Sequence, residues 1–302
     1  MKRTFSDKLF LYLASRGFLN TMNDEKYIKR MFKARMGRKL NLNNPKTFNE
    51  KLQWLKLYNR KPEYNKMVDK YEVKKYVRDI IGEEYIIPTL GVWDKFEDID
   101  FDALPDRFVL KCTHDSGGLV ICKDKAALDI EAARKKINTS LKNNYYYWGR
   151  EWPYKDVKPR IIAEEYMENV DDSKKDEPLL VYKIMTFNGI PKIVQTIQGD
   201  KTSNEAIDYF DTEWNLLELR QNYKNSQNPL KKPKSFEKML ELAARLGKNS
   251  HFLRVDFYES EERVYFSEFT FFSDGGFAYF EPEEWDSILG EWISLPKMQT
   301  EL

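Results

Sequence analysis

Apolar residues in the first 60 positions recur at helical spacing. Phe5, Leu9 and Leu13 are four apart, which predicts a helix with all three on one face. A second helix is predicted over residues 24–35, where Tyr27, Met31 and Phe32 share a face and Lys29, Arg30 and Lys33 lie off it. Thr47 and Glu50 form a Thr-x-x-Glu capping pattern that opens a third helix, with Phe48, Leu52 and Leu55 as its apolar stripe. This end has no Gly-x-Gly-x-x-Gly and no strand–helix–strand alternation, which argues against a dinucleotide-binding fold there.

A helix over residues 68–80 and a strand at 85–88 are predicted next, then an acidic loop over 92–107. From Phe108 the pattern turns strand-rich. Residues 108–113 and 119–124 read as a hairpin around His114-Asp115-Ser116-Gly117-Gly118. A helix at 130–141, a strand at 160–166 and a polar loop at 168–177 follow. Residues 179–187 and 190–197 form a second hairpin about Asn188-Gly189, a pair that accepts positive φ. An amphipathic helix over 235–246 stops at Gly247, and a last hairpin joins 253–260 to 263–272. There is no internal repeat and no low-complexity segment.

The 302 residues suffice for one large domain or two to three subdomains. At 33% charged and 15% aromatic, the composition is that of a folded, soluble chain. The apolar stretch 9–14 is too short to cross a bilayer, and neither a signal peptide nor a membrane span is expected. Cys112 and Cys122 flank the glycine turn, where they could face each other across the hairpin, and are expected as reduced, packed thiols rather than a disulfide or metal pair. Two histidines, His114 and His251, are too few and too distant for a zinc site.

The net charge of +1 hides a split. Residues 1–62 hold 16 Lys/Arg against 4 Asp/Glu, and the remainder 34 against 45. The basic excess admits two readings: solvated helix faces, or attraction to an anionic partner such as phosphorylated lipid, acidic polysaccharide or a membrane surface. No basic-aromatic recognition pattern is present, so nucleic acid is not expected.

Three features carry candidate chemistry. With the last hairpin turning around Glu261 and Glu262, Asp256 lies across from Glu268, with Arg254 and Thr270 on the same face. Two facing carboxylates repel, and a divalent cation between them removes the repulsion; spacing alone also admits a hydrated hairpin. Lys111 precedes a glycine turn whose N–H groups can meet phosphates, although many hairpins have such turns. Residues 161–167 read as an apolar strand ending in Glu164, Glu165, Tyr166 and Met167, which by itself is an ordinary buried strand.

In order along the chain, these pieces resemble the ATP-grasp superfamily. Met67-Val68-Asp69-Lys70 is similar to its first phosphate-binding lysine, and Phe108-Val109-Leu110-Lys111 with its turn to the second lysine and glycine-rich flap. Residues 161–167 resemble its adenine hinge. Arg254-Val255-Asp256, Glu268-Phe269-Thr270 and Ser273-Asp274-Gly275-Gly276 resemble its terminal magnesium motif. Asn43-Asn44-Pro45-Lys46-Thr47-Phe48-Asn49-Glu50, Val68-Asp69-Lys70-Tyr71 and Phe266-Ser267-Glu268-Phe269-Thr270-Phe271 narrow the resemblance to TupA-like ligases.

That resemblance implies an α+β ATP-grasp fold, two subdomains clasping ATP behind a basic helical N-terminal region. The divisions it suggests are 1–62, 63–107, 108–177 and 178–302. It implies a cytoplasmic ligase using ATP and two Mg2+ ions to join a carboxylate, on a uronic-acid saccharide that is free or lipid-linked, to an amine or amino acid. Lys70, Lys111, His114, Asp115, Ser116, Gly117, Gly118, Glu164, Glu165, Tyr166 and Met167 are then nucleotide residues. Asp256, Glu268 and Thr270 are metal ligands, and Arg254 and Lys183 are catalytic. Thr270 stands where the superfamily has Asn, and Val181 where a ribose-binding acid is expected, leaving that role to the 168–177 loop. The +12 segment is expected to dock on an anionic acceptor at the inner membrane face. Asp98-Ile99-Asp100 and Asp100-Phe101-Asp102 keep open a glycosyltransferase using a nucleotide sugar, and a non-catalytic binding protein is the other alternative.

Overall fold

The structure, a computed structural model, describes residues 3–168, 179–198, 205–260 and 262–297. Three helices open the chain. Helix α1 (Phe5–Ser15) starts at Thr4 and α3 (Phe48–Tyr58) at Thr47, both through capping boxes, the second as the sequence predicted. Helix α2 (Asp24–Met36) ends at Gly37, whose φ of 72° gives it a left-handed stop.

Helices α1 and α2 share a small core of Phe10, Ala14, Tyr27, Met31 and Phe32, closed by Phe277. The predicted apolar stripe of α1 does not form part of it. Asp7, Phe10 and Ala14 face inward, whereas Phe5 and Leu9 are exposed. Two tertiary contacts set this rotation: Asp7 takes the Arg30 guanidinium at 2.6 Å, and Phe10 packs on the Tyr27 ring. Helix α3 differs. Phe48, Leu52, Trp54 and Leu55 enter the main core, and Asn49, Gln53 and Lys56 are buried as well.

The helix predicted over 68–80 begins later, as α5 (Glu72–Ile81), and a separate short helix, α4 (Glu63–Val68), precedes it. Asp69 breaks them with extended backbone and caps α5 by accepting the N–H groups of Tyr71 and Glu72. The strand expected at 85–88 comes later, as β1 (Thr89–Trp93), in part of what read as loop; Leu90 and Trp93 pack on the small-sheet core. That sheet runs β1-β4-β2-β3, all antiparallel, with β2 (Phe108–Cys112), β3 (Leu119–Cys122) and β4 (Ile161–Glu165). Helix α6 (Ile130–Leu141) covers it. Cys112 and Cys122 are buried free thiols, but they do not face each other; Cys122 pairs with Phe108.

After α7 (Tyr146–Gly149) comes the large sheet, of order β10-β9-β5-β6-β7 and antiparallel throughout. Its strands are β5 (Val181–Phe187), β6 (Ile190–Gln198), β7 (Ala206–Phe210), β9 (Phe252–Ser260) and β10 (Arg263–Thr270). Asn188 and Gly189 turn β5 into β6 with φ of 50° and 80°, as predicted. Short strands β8 (Arg220–Gln221) and β11 (Phe280–Glu281) pair beside it. Helix α8 (Phe236–Gly247) packs on β5 and β9, and α9 (Trp285–Glu291) packs on α3. Gly290 makes the last contact possible, since a Cβ there would lie 2.2 Å from the Lys46 carbonyl. Ile86 bridges to Phe266 of β10, so the segment after α5 ties the two sheets together along a cleft.

Candidate active site

Three lysines meet in that cleft. Lys70, Lys74 and Lys111 line a narrow pocket with Glu164, Ile86, Phe266 and Ser267. Lys111 comes from β2, and Lys74 from the first turn of α5. The buried Glu164 carboxylate bridges them, at 2.5 Å from Lys111 Nζ and 2.6 Å from Lys74 Nζ. Burial opposes the charge on Lys111, but Glu164 outweighs it and holds the pKa above that of an ordinary lysine. Burial likewise works against ionised Glu164, and the two lysines more than offset it, so its pKa falls. Lys70 reaches the other way, its Nζ donating to the Asp115 carbonyl. Such a cluster of donors is suited to a polyphosphate. Lys74 was missed by sequence reasoning, although it stands only four residues after Lys70.

The glycine turn is braced from beneath. The His114 ring is buried, with Nε2 at 3.2 Å and 3.1 Å from the carbonyls of Ser140 and Asn143. Asp115 accepts from the Ser140 hydroxyl and from the Gly118 N–H. Both side chains are thus engaged within the fold, while Ser116 and Gly117 are exposed at the tip. Gly118 packs so closely that a Cβ would lie 2.4 Å from Cys112 Sγ. What the turn offers a ligand is therefore its exposed backbone.

Asp256 and Glu268 are cross-strand partners, and Arg254 pairs with Thr270 next to them. The register depends on a bulge at Ser267. Beyond the Phe266–Phe257 pair, unbroken alternation would set Ser267 opposite Asp256. Asp256 is fully buried. Arg254 grips it with two hydrogen bonds, at 2.7 and 2.8 Å, and Lys183 of β5 donates to Oδ2 at 2.6 Å. Burial would raise the Asp256 pKa, but these two cations lower it below the usual value. Arg254 also stands 3.6 Å from Glu268.

Among the described residues no group of three or more His, Cys, Asp or Glu could hold a metal. Two carboxylates and the Thr270 hydroxyl make a thin set, which suits a magnesium ion completed by phosphate oxygens and water better than a cation caged by protein alone. The residues fit that kind of ion. Phe266 and Ser267 line the lysine pocket and Glu268 follows them in β10, which brings the acid pair next to it.

A second turn closes this end. Asp274, at a φ of 49°, is exposed and accepts from Gln221. Helix α3 holds the turn: Gln53 donates to the carbonyls of Gly275 and Gly276, and Lys56 to those of Gly275 and Gly149. A Cβ on Gly276 would lie 2.5 Å from Gln53 Nε2. Tyr145, hydrogen-bonded to Ser116, has its pKa pushed up to about 12 by the Glu151 carboxylate and by burial. Asp274 belongs to the Ser273–Gly276 motif of the sequence but not to its expected metal ligands, and nothing in the sequence pointed to Gln221 or Tyr145.

Of the remaining predicted residues, Glu165 is exposed, Tyr166 lies under the Arg107 guanidinium and Met167 is half-buried. Most of the loop expected to supply a ribose-binding acid lies outside the described residues; Glu168, at its edge, pairs with Arg107. Asp100 caps its own turn by accepting from Asp102 and Ala103, between the buried Ile99 and Leu104.

The family described as TupA-like ATPgrasp matches the chain over residues 50–294. Among solved structures, the chain is similar to a D-alanine–D-alanine ligase from Bacillus anthracis at 17% identity and a TM-score of 0.40, covering 68% of this chain and 56% of that one. A D-alanine–D-alanine ligase from Helicobacter pylori matches at 15% identity and 0.42, covering 82% and 69%. The ATP-grasp ligase PsnB, complexed with minimal precursor, matches at 10% and 0.40, covering 74% and 58%. The chain thus spans little more than half of the Bacillus anthracis ligase. No curated protein matches it.

Proposed function

The chain belongs to the TupA-like ATP-grasp family, and on that premise we propose that it is an ATP- and Mg2+-dependent ligase forming an amide between a carboxylate and an amine. The observation that supports this most is the convergence of Lys70, Lys74 and Lys111 in one pocket beside the Asp256–Glu268 pair.

A free carboxylate does not acylate an amine in water. In the proposed reaction an acceptor carboxylate oxygen attacks the γ-phosphorus of ATP, and the bond to the ADP oxygen breaks. The amine nitrogen then attacks the acyl carbon, the bond to phosphate breaks, and the amine's proton leaves with solvent. No protein nucleophile is required; the work is positioning and charge stabilisation. Lys70 and Lys111 bind the α- and β-phosphates, and Lys74 adds to the same field. Glu164 keeps Lys111 charged, offsets only part of the burial that lowers the Lys74 pKa, and fixes the direction of both. The exposed backbone of the Ser116–Gly117 turn covers the phosphates. Arg254 meets the transferred phosphoryl or the tetrahedral intermediate, and Lys183 the nucleotide or the acceptor. Asp256 and Glu268, with Thr270, would hold Mg2+, which supplies charge neutralisation on the phosphate oxygens.

For the carboxylate we propose a uronic-acid-containing surface saccharide or its precursor, and for the amine an amino acid. ADP release, measured with amino acids crossed against uronic-acid acceptors, tests the proposal. Release that requires both partners is expected. Consumption of a UDP-sugar without ATP turnover, or no ATP turnover with any acceptor mixture, would overturn it.

A further inference from the structure

We propose that the outward face of α1 docks this protein on an anionic lipid bilayer. Phe5, Leu9 and Tyr12, spaced by four and three residues, lie on the face opposite Asp7, Phe10 and Ala14. They are 83%, 46% and 54% exposed, and Phe18 just beyond the helix is 71% exposed. Scattered exposed apolar residues need no explanation, but here four of them fall within a single helix and its exit. A helix that is apolar on both faces is normally covered on both. The protein's own core covers only one face of α1.

Charge identifies the occupant. The four acids of the N-terminal segment are each paired, Glu25 with Lys29, Asp7 with Arg30, Glu50 with Arg38 (which also meets Asp286) and Asp24 with Arg60, so the basic excess is left on the segment's other cations. Lys8 and Arg16 border the apolar face and are exposed. Neither makes an ion pair among the described residues; Arg16 only rests over the Tyr12 ring. An aromatic and aliphatic face flanked by unpaired cations is the composition of a helix lying in a membrane interface. A second copy of the chain would bring Lys8 and Arg16 against their own kind, which opposes a two-fold contact. A soluble acidic polymer would answer the charges and leave Phe5 and Leu9 in water.

Flotation of the full chain with phosphatidylcholine vesicles, with and without phosphatidylglycerol, at low and high salt, tests the proposal. Binding is expected with phosphatidylglycerol and is expected to weaken with salt. Phe5→Ser/Leu9→Ser is expected to lower the partition coefficient by about tenfold or more, and Lys8→Glu/Arg16→Glu to abolish the preference for anionic lipid. All four side chains lie outside the core, so both variants should melt like the parent. Equal binding to neutral and anionic vesicles, or an apolar variant that binds as well as the parent, would overturn the proposal. A dimer in sedimentation that Phe5→Ser/Leu9→Ser converts to monomer would overturn it too, because a second copy would then be what covers the face.

Discussion

Asp256 and Glu268 face each other across β9 and β10, and the carboxylate of the first is already held by Arg254 and Lys183. The repulsion expected between two facing acids is met within the protein by two cations. A divalent ion entering this site has to share Asp256 with them, while Glu268 is half-exposed and free to turn. The first consequence is that the two acids differ as targets. Glu268→Gln should fold normally and lose magnesium-dependent nucleotide binding in calorimetry. Asp256→Asn should also destabilise the fold, by about 3–5 kcal/mol, because it leaves the charges of Arg254 and Lys183 without their partner. Unchanged nucleotide affinity and metal dependence in Glu268→Gln would sink the metal assignment.

The same pair sets a pH dependence. The Asp256 pKa is lowered in the folded state, so its contribution is complete above the ordinary carboxylate range, near pH 4, and is lost as pH falls through the lowered folded value. Thermal melts at decreasing pH should show a steeper loss of stability for the parent than for Asp256→Asn. Parallel curves would mean that the pair contributes little.

Lys111 and Cys112 are neighbours on opposite faces of β2. On the proposed phosphate role, Lys111→Ala would remove one charge-assisted contact, worth about 1.5–3 kcal/mol, and should weaken nucleotide binding roughly 10- to 100-fold. Cys112→Ala and Cys122→Ala should stay active. A fully active Lys111→Ala protein would contradict the phosphate role, and a folded but inactive Cys112→Ala would give the thiol a role that its burial does not suggest.

Glu164 orients two lysines at once. Glu164→Gln keeps its shape but removes the charge that aligns Lys74 and Lys111 and holds Lys111 protonated. Nucleotide affinity should fall although no phosphate contact is deleted, and Lys74→Ala should weaken binding further in the parent than in Glu164→Gln. Additive effects in that double-mutant cycle would show that the bridge does not position the lysines.

Gly276 has a φ of 68° and packs on Gln53. Gly276→Ala should cost about 1–2 kcal/mol from the left-handed backbone alone, and more through the displaced Gln53. It should also disturb the position of Asp274. A variant that melts and turns over like the parent would remove α3 from the architecture of the site.

Local patterns made much of this legible. The Thr47 capping box, the Asn188–Gly189 turn and helix 130–141 depend on nearest neighbours along the chain, so the sequence determined them by itself. It also determined the order of the lysines and acids that marks the family. Only the tertiary structure decided which face of α1 turns inward, because Asp7 and Phe10 find Arg30 and Tyr27 more than a dozen residues away. It also placed β1 within what read as loop, recruited Lys74 through Glu164, and used the bulge at Ser267 to set Glu268 opposite Asp256. Helical and strand periods report which residues share a face. Which face is covered, and by what charge, is settled by partners distant in sequence, and no local period carries that information.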